Sequence, residues 1–224
     1  MNLCVIIPTY NEAKHISKII KEILKYNLKV LVIDDGSKDD TYKIASLCGA
    51  EVIRKQRNEG KGSCLRIGFD YALKNNFDGV ITMDGDGQHL PKEIIKFIQR
   101  AEESDNSIFI GNRMFKPLNM PLIRRLTNLV MSSFISFIIK QKIPDTQCGF
   151  RLIKRKLLEK IKLSTSHYET DTEIIIIASK MGYKIESIPI ESVYSGQKTY
   201  INPIIDTLRF VWLILKQYIK NNGL

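Results

Sequence analysis

Two hydrophobic periods alternate regularly through the first half of this chain, and that alternation restricts its fold more than any other feature. Short apolar runs at residues 3–8, 30–33, 51–54, 79–83 and 107–111 read as buried strands. Between the first two, residues 13–26 carry Ile16, Ile19, Ile20, Ile23 and Leu24 at helical spacing. Further helices are expected over 41–47, capped by Asp40 or Thr41, over 62–73, and over 91–103, opened by Pro91. Such alternation predicts an α/β fold: a mainly parallel sheet flanked by helices. In these sheets ligands gather beyond the carboxyl ends of the strands. Pro8-Thr9-Tyr10, Asp34-Asp35 and Asp84-Gly85-Asp86 each follow a strand directly. The three polar motifs are therefore expected to share one edge of the sheet.

The second half follows another plan. Residues 120–140 read as a helix with Leu126, Val130, Phe134 and Ile138 four apart. Asp145-Thr146-Gln147-Cys148-Gly149-Phe150-Arg151 is a polar segment leading into Leu152-Ile153. Residues 170–181 read as a helix, although Ile174 to Ile177 would also suit a buried strand. Residues 183–193 read as a strand weakened by Pro189. Asn202-Pro203 opens a last helix. Its Ile204, Ile205, Leu208, Val211, Trp212, Leu215, Tyr218 and Ile219 form a broad apolar stripe opposite Arg209, Lys216 and Lys220. We divide the chain into residues 1–200, with halves at 1–115 and 116–200, and this terminal amphipathic helix, 201–224.

Lys and Arg number 34 against 24 Asp and Glu, a formal net charge of +10. The excess points to an anionic partner: phosphorylated substrates, an anionic membrane or nucleic acid. The lysines are dispersed rather than clustered with aromatics, which argues against nucleic acid. Cys4, Cys48, Cys64 and Cys148 have no zinc or C-x-x-C spacing and suit a reducing compartment. The chain enters its first strand almost at once, so no signal peptide is expected. With no run of about 20 apolar residues, no spanning helix is expected either. A dinucleotide-dependent oxidoreductase would want G-x-G-x-x-G after the first strand. That turn reads Pro8-Thr9-Tyr10-Asn11-Glu12 instead.

The chemistry concentrates at Met83-Asp84-Gly85-Asp86-Gly87-Gln88. Two carboxylates one residue apart at a strand end suit one hard divalent cation, Mg²⁺ or Mn²⁺, which commonly shares its ligands with substrate phosphates. Gly85 between them lets a bulky ligand approach the backbone. Isolated Asp-x-Asp matches are often only surface turns.

Taken with its neighbours, the motif resembles the family 2 glycosyltransferases, and among them the dolichyl-phosphate mannosyltransferase-like group. The matching residues are Ile7-Pro8-Thr9-Tyr10-Asn11-Glu12, Ile33-Asp34-Asp35-Gly36-Ser37, Asn58-Glu59-Gly60-Lys61-Gly62, Met83 to His89, Gly111-Asn112-Arg113, and Asp145 to Phe150. The resemblance implies a GT-A nucleotide-diphospho-sugar transferase fold, a GDP- or UDP-hexose donor, and Mg²⁺ or Mn²⁺. It implies that Pro8, Tyr10, Glu12, Ile33 and Asp35 surround the base and ribose. Asp84 and Asp86 would hold the metal with Gln88 beside them, and Arg113 would reach a phosphate. Tyr10 is able to stack on a base, and Asp35 to accept from a base N–H or ribose hydroxyl. Glu12 reads equally well as a cap of the first helix, and Tyr10 as packing. The group carries an arginine six residues before a lysine. Here the lysine is Lys198, a candidate diphosphate contact, and the arginine position is Ser192.

In the resembling group the acceptor is a polyprenyl phosphate. Arg124 and Arg125 are the candidate cations for its phosphate. Asp145 is either a base for a hydroxyl acceptor or the orienter of an arginine, and His89 is structural. The expected activity is a metal-dependent, inverting hexosyl transfer to polyprenyl (dolichyl or undecaprenyl) phosphate, peripheral on the cytoplasmic face of a membrane. A saccharide or protein hydroxyl acceptor, or a non-catalytic nucleotide-sugar binder, is the alternative.

Overall fold

A computed structural model describes residues 1–117 and 120–194. The terminal amphipathic helix and Lys198 lie outside the described residues. The elements run β1 (Leu3–Thr9), α1 (Ile16–Leu24), β2 (Lys29–Asp34), α2 (Thr41–Leu47), β3 (Glu51–Arg54), α3 (Lys61–Lys74), β4 (Gly79–Thr82), α4 (Ile94–Glu103), β5 (Ile108–Asn112), α5 (Leu122–Ile139), β6 (Arg151–Lys154), α6 (Arg155–Leu158), α7 (Thr170–Lys180) and β7 (Ile185–Pro189). A 3₁₀ turn, Pro91–Glu93, leads into α4.

The strands form one sheet of seven, ordered β3-β2-β1-β4-β6-β5-β7. β1, β2, β3 and β4 pair in parallel, as does β5 with β7. β6 alone runs against its neighbours, between β4 and β5. The alternating pattern therefore gave a mainly parallel sheet, as expected, but concealed β6. Its four residues begin with an arginine and carry only Leu152 and Ile153 as apolar signal.

The reversed strand has a functional consequence. Arg151, its first residue, pairs with Thr82, the last of β4, and with Ile110 of β5. The 145–150 segment thus arrives at the carboxyl ends of β4 and β5. Thr82 Oγ1 donates to the Gly149 carbonyl at 2.7 Å, and Gly111 N–H donates to that of Phe150 at 2.9 Å.

Burial follows sequence period. α1 buries Ile16, Ile19, Ile20 and Ile23 on one face. α7 is buried nearly all round, including Thr170 to Glu173 and Ile174 to Ile176, which explains an isoleucine run ambiguous between strand and helix. The cap of α2 differs from expectation. Neither Asp40 nor Thr41 caps with its side chain; Asp39 accepts from Thr41 N–H at 3.0 Å and from Ala13 N–H at 3.2 Å.

α5 is built the other way out. Its buried residues are Asn128, Ser132 and Ile135. Leu122, Ile123, Leu126, Val130 and Phe137 are 60 to 82 % exposed. With 18 residues and a mean hydropathy of 1.4, it has the length and composition of a helix able to cross a membrane. The expectation that no segment would reach that mark does not hold for α5. Arg124 and Arg125 are its only charges, and Thr127, Asn128, Ser132, Ser133 and Ser136 interrupt its apolar residues, which is why no continuous apolar run marks it in the sequence.

Candidate active site

Strands β2, β1 and β4 are adjacent and parallel, so their ends do share one edge. Thr9 stands opposite Asp34, and Ile6 opposite Thr82. The loops beyond are tied together. Asp35 N–H donates to the Thr9 carbonyl at 2.9 Å, Asn11 N–H to Ser37 Oγ at 2.9 Å, and Glu12 N–H to Thr41 Oγ1 at 2.8 Å.

Asp84 and Asp86 lie just past β4. The Asp84 side chain is 31 % exposed, and Asp86 is half-buried with its Oδ1 accepting from Gln88 N–H at 2.9 Å. Gln88 is itself buried, so the contact shown toward the pair is through its backbone. Burial works against the charge on Asp84, but Lys61, His89 and Arg113 together outweigh it and hold this carboxyl well below the usual carboxylate range. Glu12 is pushed up to about 7, by burial first and then by Asp86, Asp39 and Asp84. Its side chain packs beside the residue between the aspartates: a Cβ on Gly85 would stand 3.6 Å from Glu12 Cγ. The cap reading of Glu12 is not supported: α1 has no side-chain cap, and only the Glu12 carbonyl accepts, from His15 and Ile16 N–H at 3.0 Å each.

The Asp84–Asp86 pair, with Glu12 beside it, offers the carboxylate oxygens that a hard divalent cation takes. Among the described residues no three His, Cys, Asp or Glu side chains close on one point. The chain offers a carboxylate pair rather than a cage, which suits Mg²⁺ or Mn²⁺ when substrate phosphates supply the remaining oxygens.

Several expected donor contacts have other work. Ile33 is fully buried in the core, so its side chain does not line the edge. Asp35 is 3 % exposed and accepts from Lys55 Nζ at 2.6 Å, Glu59 N–H at 3.0 Å and Gly60 N–H at 2.7 Å. It builds the 55–60 loop rather than presenting a free carboxylate. A Cβ on Gly85 would stand 2.7 Å from Thr9 Cγ2, so this glycine makes room for Thr9. Pro8 and Tyr10 are half-buried at the edge.

Arg113 follows β5 directly. This buried guanidinium gives two bonds to Asp145, from Nε at 2.7 Å and Nη2 at 2.9 Å, and its N–H a third at 3.1 Å. Asn128 of α5 donates to the same carboxylate at 2.7 Å. Burial disfavours both charges, but the pairing prevails: Arg113 is raised well above its ordinary range, and Asp145 is lowered. Of the two roles open to Asp145, orienting an arginine is the one this geometry supports. Burial lowers His89; its Nδ1 accepts from Asp84 N–H at 3.3 Å, and its ring packs on Phe150. A structural role suits it.

Past β7 the chain runs beside the Asp-x-Asp loop. Val193 N–H donates to the Gln88 carbonyl at 3.0 Å, and Ser192 bridges His89. The Arg124 guanidinium lies 5.3 Å from the centre of the next ring, Tyr194. Contacts therefore link α5 to the Asp-x-Asp loop. Arg124 is half-buried and Arg125 exposed.

Sequence reasoning passed over Lys61, Arg151 and Asp171. Lys61 Nζ lies 2.6 Å from Asp84 Oδ1 and 2.8 Å from Asp171 Oδ2. Arg151, fully buried, donates to the carbonyls of Cys148 at 2.8 Å and Thr146 at 3.1 Å, which shapes the 145–150 loop. Lys61 sat within a quoted motif, but no local pattern signalled its partner 110 residues away.

Residues 4–162 match the family model described as Glycosyl transferase family 2. The chain belongs to glycosyltransferase family 2. It is 32 % identical over 214 residues to the UDP-N-acetylglucosamine–dolichyl-phosphate N-acetylglucosaminyltransferase of Methanococcus voltae, covering 85 % of each chain. It is 26 % identical over 206 residues to the undecaprenyl-phosphate mannosyltransferase of Micrococcus luteus, covering 86 % of this chain and 84 % of the relative. Among solved structures, glucosyl-3-phosphoglycerate synthase from Mycobacterium tuberculosis, in complex with Mn²⁺, UDP-glucose and phosphoglyceric acid, superposes with a TM-score of 0.73 at 16 % identity. That match covers 100 % of this chain and 80 % of the other. The fold is GT-A and the chain is a glycosyltransferase.

Proposed function

We propose that this family 2 enzyme transfers a hexose, with inversion, from a GDP- or UDP-sugar to a polyprenyl phosphate while resting on a membrane surface. The observation that carries the reading is α5, with polar residues toward the protein and an apolar stripe outward. Arg124 and Arg125 stand in its first turn, and it is joined to the Asp-x-Asp loop through Tyr194, Val193 and Gln88. An apolar face with arginines at one end matches a lipid that carries a phosphate. The names of the relatives, which specify dolichyl and undecaprenyl phosphates, support it.

The chemistry follows from the residues. Asp84 and Asp86 would hold Mg²⁺ or Mn²⁺, which when bound neutralises charge on the departing diphosphate. Gln88 fixes Asp86 from behind. Tyr10 and Pro8 form a rim for the nucleoside beside the loop that Asp35 organises. An acceptor phosphate oxygen attacks the anomeric carbon, the bond to the donor diphosphate breaks, and the nucleoside diphosphate leaves with that electron pair. A phosphate monoester is already ionised near neutral pH, with a second pKa of about 6. It needs cations to position it rather than a strong base. Arg113, held by Asp145, and Arg124 supply them.

The test is label transfer from a panel of nucleotide sugars into a short polyprenyl phosphate, with Asp86→Ala as control. The reading expects metal-dependent label in the lipid that the variant loses. Donor consumption without lipid label contradicts the acceptor assignment.

A further inference from the structure

The site already contains a cation on one of its metal-binding carboxylates. Lys61 Nζ touches Asp84 Oδ1 at 2.6 Å and Asp171 Oδ2 at 2.8 Å, with its side chain only 12 % exposed. Gly149 packs on the pair: a Cβ there would lie 2.5 Å from Lys61 Nζ and 2.6 and 2.7 Å from the Asp84 oxygens. Asp171 is itself kept in place by Arg151, whose Nη2 stands 3.5 Å from its other oxygen. The ammonium is thus enclosed, with one anchor on the ligand pair and one behind it.

An ammonium and a divalent ion on the same carboxylate oppose each other, the more so in a partly dry site. We propose that Lys61 is a resident counter-cation that positions Asp84 in the free enzyme and keeps divalent-metal affinity low until a diphosphate arrives. The inference rests on the assignment of Asp84 and Asp86 as metal ligands. The diphosphate brings the negative charge that offsets the crowded cations, while Asp171 retains the lysine. Metal and nucleotide then bind as a coupled pair. By reciprocity the metal tightens nucleotide binding by the same factor as the nucleotide tightens metal binding. Lys61 acts through Asp84 and is a positioning residue.

The experiment is a Mn²⁺ titration of the full chain, followed by the paramagnetic resonance signal of free Mn²⁺, without nucleotide and with saturating UDP or GDP. For the wild type, one nucleotide is expected to tighten Mn²⁺ at least tenfold. In Lys61→Met, Mn²⁺ alone is expected to bind at least tenfold tighter than to wild type, and the coupling to fall below threefold. Lys61→Gln, which keeps a donor of similar reach but no charge, is run beside it and is expected to behave alike. Thermal melts establish which variants are folded. A folded neutral variant whose metal affinity is unchanged or weaker overturns the inference and leaves the ligand assignment standing. Wild-type protein that binds no Mn²⁺ with either nucleotide overturns both.

Discussion

The Arg113–Asp145 pair offers the sharpest separation of a structural role from a chemical one. Asp145 accepts four bonds: Arg113 Nε, Nη2 and N–H, and Asn128 Nδ2, between 2.7 and 3.1 Å. Its side chain is fully buried and that of Arg113 is 5 % exposed. Asp145→Asn removes the charge and turns an amide donor toward groups that only donate. Breaking one partner of a buried ion pair costs about 3–5 kcal/mol, because the other charge stays behind uncompensated. For a chain of this size that corresponds to a fall in Tm of roughly 10 °C. Chemical denaturation at pH 7 with thermal melts measures it, since Cm shifts with little change in slope if the folded state alone is affected. Sign and pH range follow from the lowered Asp145. Its stabilisation is present above its ordinary value of 3.8 and is lost as pH falls through the lower folded value. The wild-type advantage over Asp145→Asn is thus constant near neutrality and closes only in strong acid. A variant that melts within about 1 kcal/mol of wild type while losing turnover would refute the reasoning and restore Asp145 as a catalytic base.

Three further outcomes are expected. Gly62→Ala places a methyl 2.1 Å from Thr170 Oγ1 and 2.7 Å from the Thr165 carbonyl; overpacking of that kind costs about 1–3 kcal/mol, read as a lower Tm, and an unchanged Tm would contradict the packing. Glu12, raised from 4.5 to about 7, binds its proton more tightly when folded. Its contribution is therefore present in acid and lost as pH rises toward 7, so Glu12→Gln gains on wild type by about 1–2 kcal/mol between pH 5 and pH 8; a parallel pair of stability curves would contradict this. Replacing Leu126, Val130 and Phe137 together by Asp should leave Tm nearly unchanged, since all three are at least 60 % exposed. Co-sedimentation with anionic vesicles should fall at least tenfold, as each apolar side chain withdrawn from lipid is worth about 1.5–3 kcal/mol; equal sedimentation would sink the membrane role of α5.

Much of the architecture was legible because it is local. Apolar runs of strand length, helical spacing, and Pro and Gly punctuation located nearly every element, and direct succession from strand to polar motif placed three loops on one edge. β6 was not legible, since its identity as a strand comes from pairing with β4 and β5 rather than from its own four residues. The same limit applies to side chains. At Ile33, Asp35 and Gly85, where ligand contacts were expected, burial and partners from distant segments add packing in the core, hydrogen bonds to the 55–60 loop and a close approach of Thr9. The Lys61–Asp171 contact has no local signature at all. α5 showed its apolar spacing in the sequence, and only the fold revealed that the apolar side faces out.

The acceptor is the central claim, and a competition measures it most directly. The enzyme is given one labelled nucleotide sugar, Mn²⁺, and equal amounts of a polyprenyl phosphate and the corresponding free polyprenol, and the lipid products are weighed by mass spectrometry. The account predicts one hexose added to the phosphorylated lipid, with its phosphate retained, and none on the alcohol. Hexose on the free polyprenol, or on neither lipid while the donor is consumed, would contradict it.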